Sequence, residues 1–165
     1  MPSLSTALLY NGTFLLEGTN ISEGRGTTKP FEIVGAPWID GCELANRMEE
    51  KNLKGVKFRP LYYTPTFSKH EGKMCGGVQM HLDDIREVNG VEVGLHLLET
   101  IIKMDKGDLE FIESEGYGIF LDSISGTRVL REKLGRELSA DEILSRWNEE
   151  TKEFRDKASK YYLYK

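Results

Sequence analysis

The apolar pattern of this 165-residue chain changes character along its length. Up to Leu82 the apolar residues come mostly in short runs cut by Gly, Pro and Asn, whereas from Val91 onward they repeat at helical spacing. Runs of strands followed by runs of helices imply an α+β fold, with an early sheet covered by later helices. Residues 7–10 and 13–16 read as short strands joined at Asn11-Gly12, a dipeptide suited to a two-residue hairpin turn. Residues 31–34 extend the set, ended by Gly35-Ala36-Pro37-Trp38. Asp40 is placed to cap a helix over 41–51 with Leu44 and Met48 one turn apart. Residues 56–63 alternate around Pro60, which suits a sheet edge or a bulge. Residues 74–82 put Gln79 and His81 on one face of a further strand. The expected product is a small mixed sheet from the N-terminal half.

The helices that cover it are plainer. Residues 91–104 are apolar over most of their circumference, with Leu95, Leu98 and Ile102 on one stripe and Leu97 and Ile101 on the next, as a helix packed on a sheet requires. His96 there reads as a core-edge residue. Residues 129–134 form a short amphipathic helix after Gly126-Thr127. Ser139 and Glu142 have the spacing of a capping box, each side chain reaching the other's backbone amide. The long helix that follows has Ile143, Trp147, Phe154, Ala158 and Tyr161 as its expected buried stripe. Trp147 and the tail Tyr161-Tyr162-Leu163-Tyr164 read as packing rather than as a sugar platform, since aromatic side chains favour cores.

With 39% apolar and 30% charged residues, the chain has the size and composition of one globular domain. A net charge of -5 and a pI near 5.3 disfavour nucleic acid or an anionic membrane as partner, because both need clustered Lys and Arg. Cys42 and Cys75 lack a disulfide framework or metal-site spacing. They are expected to be buried free thiols, although a bond between them stays open. No basic segment precedes an apolar run at the start, and no apolar run is long enough to span a bilayer, so neither an export signal nor membrane insertion is expected. The abrupt entry into Thr6-Ala7-Leu8-Leu9-Tyr10 reads as a piece of something longer.

Function is expected in residues 11–40. This stretch sets Glu17, Asn20, Glu23 and Arg25 among Gly18, Gly24 and Gly26, and continues with Thr27-Thr28. A plain surface loop is the bland alternative, but a segment that only turns has no need of two carboxylates, an amide and a guanidinium. A second polar segment, 64–73, is expected to meet the first in space. His70 and His81 read as a surface and a strand histidine; with no other ligand at suitable spacing, no metal and no cofactor are assigned. A phosphate cradle is the weak third reading, because GTNISEGRGTT lacks the lysine placement and strand-loop-helix context of such loops.

The runs LLEGTNISEGRGTTKPFEIVGAPWID and FRPLYYTPTFSKHEGKMCGGVQMH, the GLHLLE helix, and the SGTRVLREKL and FRDKASKYYLY stretches resemble, in order, the C-terminal domain of the NamZ-type exo-β-N-acetylmuramidases. That resemblance spans nearly the whole chain. It implies a glycoside hydrolase of bacterial cell-wall recycling that removes terminal N-acetylmuramic acid from peptidoglycan fragments, exported in the full-length protein. It implies also a cleft between this domain and a Rossmann-like N-terminal domain that supplies the main catalytic carboxylate. That domain is not among these residues, so the chain alone is expected to be inactive or nearly so. Glu17, Asn20, Glu23, Arg25, Thr27 and Thr28 would form the C-terminal wall of the cleft and bind a sugar or muropeptide. No proton donor is assigned, and Glu17 and Glu23 are the candidates the loop offers. Arg25 beside them suits the lactyl carboxylate of muramic acid. A stand-alone, non-catalytic carbohydrate- or muropeptide-binding module is the alternative.

Overall fold

A computed structural model describes residues 2–116 and 118–163. The chain opens with helix α1 (Leu4–Thr13) and a 3-10 turn (Phe14–Gly18), not with the expected hairpin. Ser3 caps α1, its hydroxyl accepting from the Thr6 amide at 3.1 Å. Asn11-Gly12 is therefore not a turn. Gly12 lies at a helix crossing, where a Cβ would strike the backbone of Gly90 and Gly94 on a later helix. The buried face of α1 carries Thr6, Leu9, Gly12 and Thr13, so its helical stripe is half polar and its remaining apolar residues mimic an extended run.

The other early elements follow the expected order. β1 (Ile33–Ala36) is fully buried, and α2 (Gly41–Glu49) starts at Asp40, whose carboxylate accepts from the Cys42 and Glu43 amides at 2.8 and 3.0 Å. β2 (Val56–Tyr63) and β3 (Cys75–Leu82) complete a three-stranded sheet in the order β1-β3-β2. Both ladders are antiparallel, with Val34 opposite Val78 and Phe58 opposite Met80. The sheet is thus not mixed. Pro60 sits on the edge strand β2, where its missing N–H costs no ladder bond.

Helix α3 (Gly90–Met104) is the spine of the core, with Leu95, Leu97, Leu98 and Ile101 fully buried. It packs against α1, α2 and the long C-terminal helix α6 (Ala140–Ala158). His96 and Glu99 are buried on it. Glu99 is bound by Lys103 at 2.7 Å and Lys51 at 3.2 Å, tying α2 to α3. Between α3 and α6 lie two paired strands of two residues each, β4 (Glu113–Ser114) and β5 (Gly118–Ile119), then α4 (Phe120–Ser125) and α5 (Val129–Lys133). Ser139 and Glu142 form the capping box expected of them. The stripe expected on α6 fails beyond its first turns: Ile143 is buried and Trp147 partly so, but Phe154 is 68% and Tyr161 73% exposed. Tyr162 and Leu163 are exposed as well, so the tail is not core packing; Tyr164 lies outside the described residues. Cys42 is exposed and Cys75 buried, and both are free thiols. No described helix is long and apolar enough to cross a membrane.

Candidate functional site

The two polar segments meet. Thr66 donates both its amide and its hydroxyl to the Gly26 carbonyl at 2.9 Å. The approach is close enough that a Cβ on Gly26, which has φ 80°, would strike the backbone of Phe67. The knot between the segments is Lys69. Its ammonium donates to the carbonyls of Leu16 and Ile21 at 2.9 and 3.0 Å and pairs with Glu23 at 2.8 Å. Burial pushes the Lys69 pKa below its ordinary value, while Glu23 pulls the other way. His70 holds the Asn20 carbonyl at 2.6 Å through Nε2 and meets Trp38 edge-on at 5.3 Å.

Glu23 stands between two cations. Its side chain is 2% exposed, with Oε2 on Lys69 and Oε1 on the Arg25 Nε at 2.9 Å. Arg25 also gives Nη2 to Glu17 at 3.0 Å and lies 5.0 Å over the Phe31 ring. Its side chain stays 44% exposed, and that of Glu17 24%. With Thr27, Phe31 and Phe67, Arg25 borders a hollow of about 200 Å³. Backbone strain gathers here: of the four non-glycine residues with positive φ among those described, Phe31 (64°), Ser68 (72°) and His70 (59°) lie in these two segments. A bulky residue at positive φ persists only where its surroundings hold it, a condition frequent at ligand sites.

The six residues singled out in the sequence therefore part company. Arg25 and Thr27 reach the hollow. Glu23 is sealed inside. Asn20 is spent on its own fold, donating to the Asp108 carbonyl at 2.8 Å and accepting from the Glu110 amide at 3.0 Å. Thr27 donates to the Gly24 carbonyl at 2.6 Å, and Thr28 is exposed. Glu32 was not singled out, yet it is buried and anchors the loop to α1 through Ser3 at 2.7 Å and Thr6 at 2.6 Å, and it pairs with Lys29 of its own loop at 3.2 Å. Burial lifts its pKa, but these partners bring it below the ordinary carboxyl value. Lys69 was missed too; a lysine in a polar loop carries no local sign that it will be buried. His81 is exposed on β3, with no side-chain partner among the described residues. No cluster of metal-ligating side chains occurs among the described residues.

Comparison with known proteins gives one family. The family described as exo-β-N-acetylmuramidase NamZ, C-terminal, matches residues 8–164. The peptidoglycan β-N-acetylmuramidase NamZ of Bacillus subtilis (strain 168) is 38% identical over 164 residues, which are 99% of this chain and 39% of that protein. Crystal structures of two DUF1343 family proteins from Bacteroides fragilis NCTC 9343 share the fold, with TM-scores of 0.81 and 0.68 and 26% identity each. The matches cover 96% and 99% of this chain and 42% of each of those. The chain thus spans about two fifths of the length of the relatives it matches. A family pattern that runs through residues 8–164, and a fold shared over nearly the whole length, mean that the chain belongs to the family of NamZ C-terminal domains.

Proposed function

We propose that this chain is the substrate-binding C-terminal part of a glycosidase that removes N-acetylmuramic acid from the ends of peptidoglycan fragments. The observation that carries the proposal is the state of Arg25: gripped by Glu17 and Glu23, yet 44% exposed beside a hollow. A guanidinium fixed in this way is prepared for a carboxylate, with little freedom left to lose on binding. The lactyl carboxylate is the group that separates muramic acid from glucosamine. Phe31 and Phe67 offer the hollow apolar surface for a sugar ring. Thr27 lines the hollow beside Arg25; we assign the partly exposed Glu17 and the exposed Thr28 to the ligand side as well, and Glu23 and Asn20 to holding the loop beneath it.

Hydrolysis of a glycosidic bond needs a proton donor at the leaving oxygen, and a second carboxylate or the substrate's own N-acetyl group across the ring. Glu23 does not suit the first role, because both its oxygens are engaged and it is shut off from solvent. Glu17 is tied to Arg25. We therefore assign the proton donor to an N-terminal domain of the kind the longer relatives have room for, and binding and orientation to this chain. The test is calorimetric titration with muropeptides of the chain alone and joined to the preceding part of the Bacillus subtilis relative. Affinity and release of N-acetylmuramic acid should both rise on joining. Equal affinity in the two forms would favour a self-sufficient binding module. In the joined protein Arg25→Lys should erode the preference for N-acetylmuramic acid over N-acetylglucosamine; an unchanged preference would remove Arg25 from the reading.

A further inference from the structure

A second hollow, of about 420 Å³, opens where α6 lies over the N-terminal helix, the start of α3 and α4. None of the six loop residues lines it. Its walls are of two kinds. Trp147 and Phe14 supply flat apolar surface, while Asn11, Asn89 and Asn148 supply amides. The Asn89 oxygen accepts from the Glu92 amide at 3.3 Å, which leaves its NH₂ group, and Asn11 and Asn148 make no side-chain hydrogen bond among the described residues. No Lys or Arg lines the space, and its ionisable side chain is Glu150.

That lining selects a ligand class. An anion finds no cation and meets a carboxylate. A purely apolar molecule would strand three amides against its surface, which is unfavourable once water is displaced. A pyranose satisfies both walls, having a face of C–H bonds for the indole and a rim of hydroxyl groups for the amides, and an N-acetyl group adds one more donor and acceptor. The volume falls within the range of about 300–1,000 Å³ usual for small-molecule clefts. We propose that this hollow is a binding site for an uncharged N-acetylated hexosamine, stacked on Trp147 and held by Asn11 and Asn148. It differs in sign from the Arg25 hollow: there a guanidinium invites an acidic sugar, here Glu150 repels one.

The two tryptophans let one experiment separate the two sites, because Trp38 packs beside His70 in the loop site and Trp147 lines this one. The ¹⁵N-labelled chain is titrated with N-acetylglucosamine into the tens of millimolar, and both indole N–H signals are followed, assigned by Trp147→Phe. The Trp147 signal should move saturably with a dissociation constant on the order of 1 mM, as befits a monosaccharide-sized ligand, while that of Trp38 stays. N-acetylmuramic acid should move Trp147 only at higher concentration. Asn11→Ala and Asn148→Ala should each weaken binding about fivefold, the worth of one hydrogen bond. Both positions are exposed on helices where alanine is favourable, so the fold is spared. A Trp147 signal that does not saturate, a response confined to Trp38, or an affinity indifferent to both asparagine changes would each overturn the assignment. None of these outcomes bears on Arg25, whose reading is tested by the muropeptide titration.

Discussion

Lys69→Met is the change that most directly probes the joint between the two loops. Methionine keeps the length of the stem and removes the ammonium. The carbonyls of Leu16 and Ile21 then lose a donor, and Glu23 keeps Arg25 but loses its shorter contact, the 2.8 Å pair to Lys69. Breaking one side of a buried ion pair costs about 3–5 kcal/mol when nothing replaces it. The Lys69 side chain is 19% exposed, so water can reach part of the vacated space, and about 3 kcal/mol is the expected loss. For a domain of this size each kcal/mol shifts Tm by about 2–4 °C, so Tm should fall by about 6–12 °C. Urea unfolding followed by circular dichroism gives the free energy, and a cycle with Glu23→Gln should return a coupling of at least about 1 kcal/mol. A loss below about 1 kcal/mol with no coupling would mean that water substitutes for the ammonium, and that the loops are held by backbone bonds alone.

Three further outcomes are expected. Gly26→Ala, at φ 80° against the Phe67 backbone, should cost about 2–4 kcal/mol in urea unfolding, whereas Gly72→Ala, at φ 71° in open space, should cost less. At Glu99 burial raises the carboxyl pKa, yet Lys103 and Lys51 bring it below its ordinary 4.5, so its stabilising contribution is present above pH 4.5 and lost as pH falls through the lowered folded value. Urea midpoints of the wild type should therefore converge on those of Glu99→Gln as the medium is acidified below pH 4.5; parallel curves would refute the assignment. With a thiol reagent at about pH 8, the exposed Cys42 should react within the mixing time of a slow assay, while Cys75, buried and with its pKa pushed up to about 11, should react only on unfolding.

What was legible in the sequence was what local chemistry decides. Asp40 before Gly41, and Ser139 three residues before Glu142, mark helix starts because the capping bonds lie within one turn. Pro60 marks an edge strand for an equally local reason. The opening helix was not legible, because its buried face is completed from afar: Thr6 serves Glu32, and Gly12 yields space to Gly90 and Gly94. Asn-Gly then signals a turn that the crossing of two helices overrides. In the site, the density of polar groups in 17–28 was visible, but their division into bracing and exposed members depends on Lys69, 46 residues from Glu23 in the chain. The far half of α6 shows the reverse case, in which an apolar spacing is real and Phe154 and Tyr161 nonetheless remain in solvent.

The division of labour around Arg25 gives the proposed recognition its selectivity. Glu23 cannot be displaced by a ligand, since it is walled in and held by two cations. Glu17 can, because its pairing with Arg25 is partly solvated, and such pairs contribute at most about 1 kcal/mol. An arriving carboxylate that takes the Nη2 position of Glu17 exchanges one anion for another, and the buried Glu23–Arg25 contact keeps the guanidinium oriented throughout. The guanidinium thus meets a lactyl carboxylate without new desolvation of its inner edge, whereas a neutral sugar has nothing to offer in place of Glu17. On this arrangement affinity comes from the exposed half of the cluster and geometry from the buried half. Lys69, which reaches Arg25 through their shared partner Glu23, then governs how precisely Arg25 is aimed.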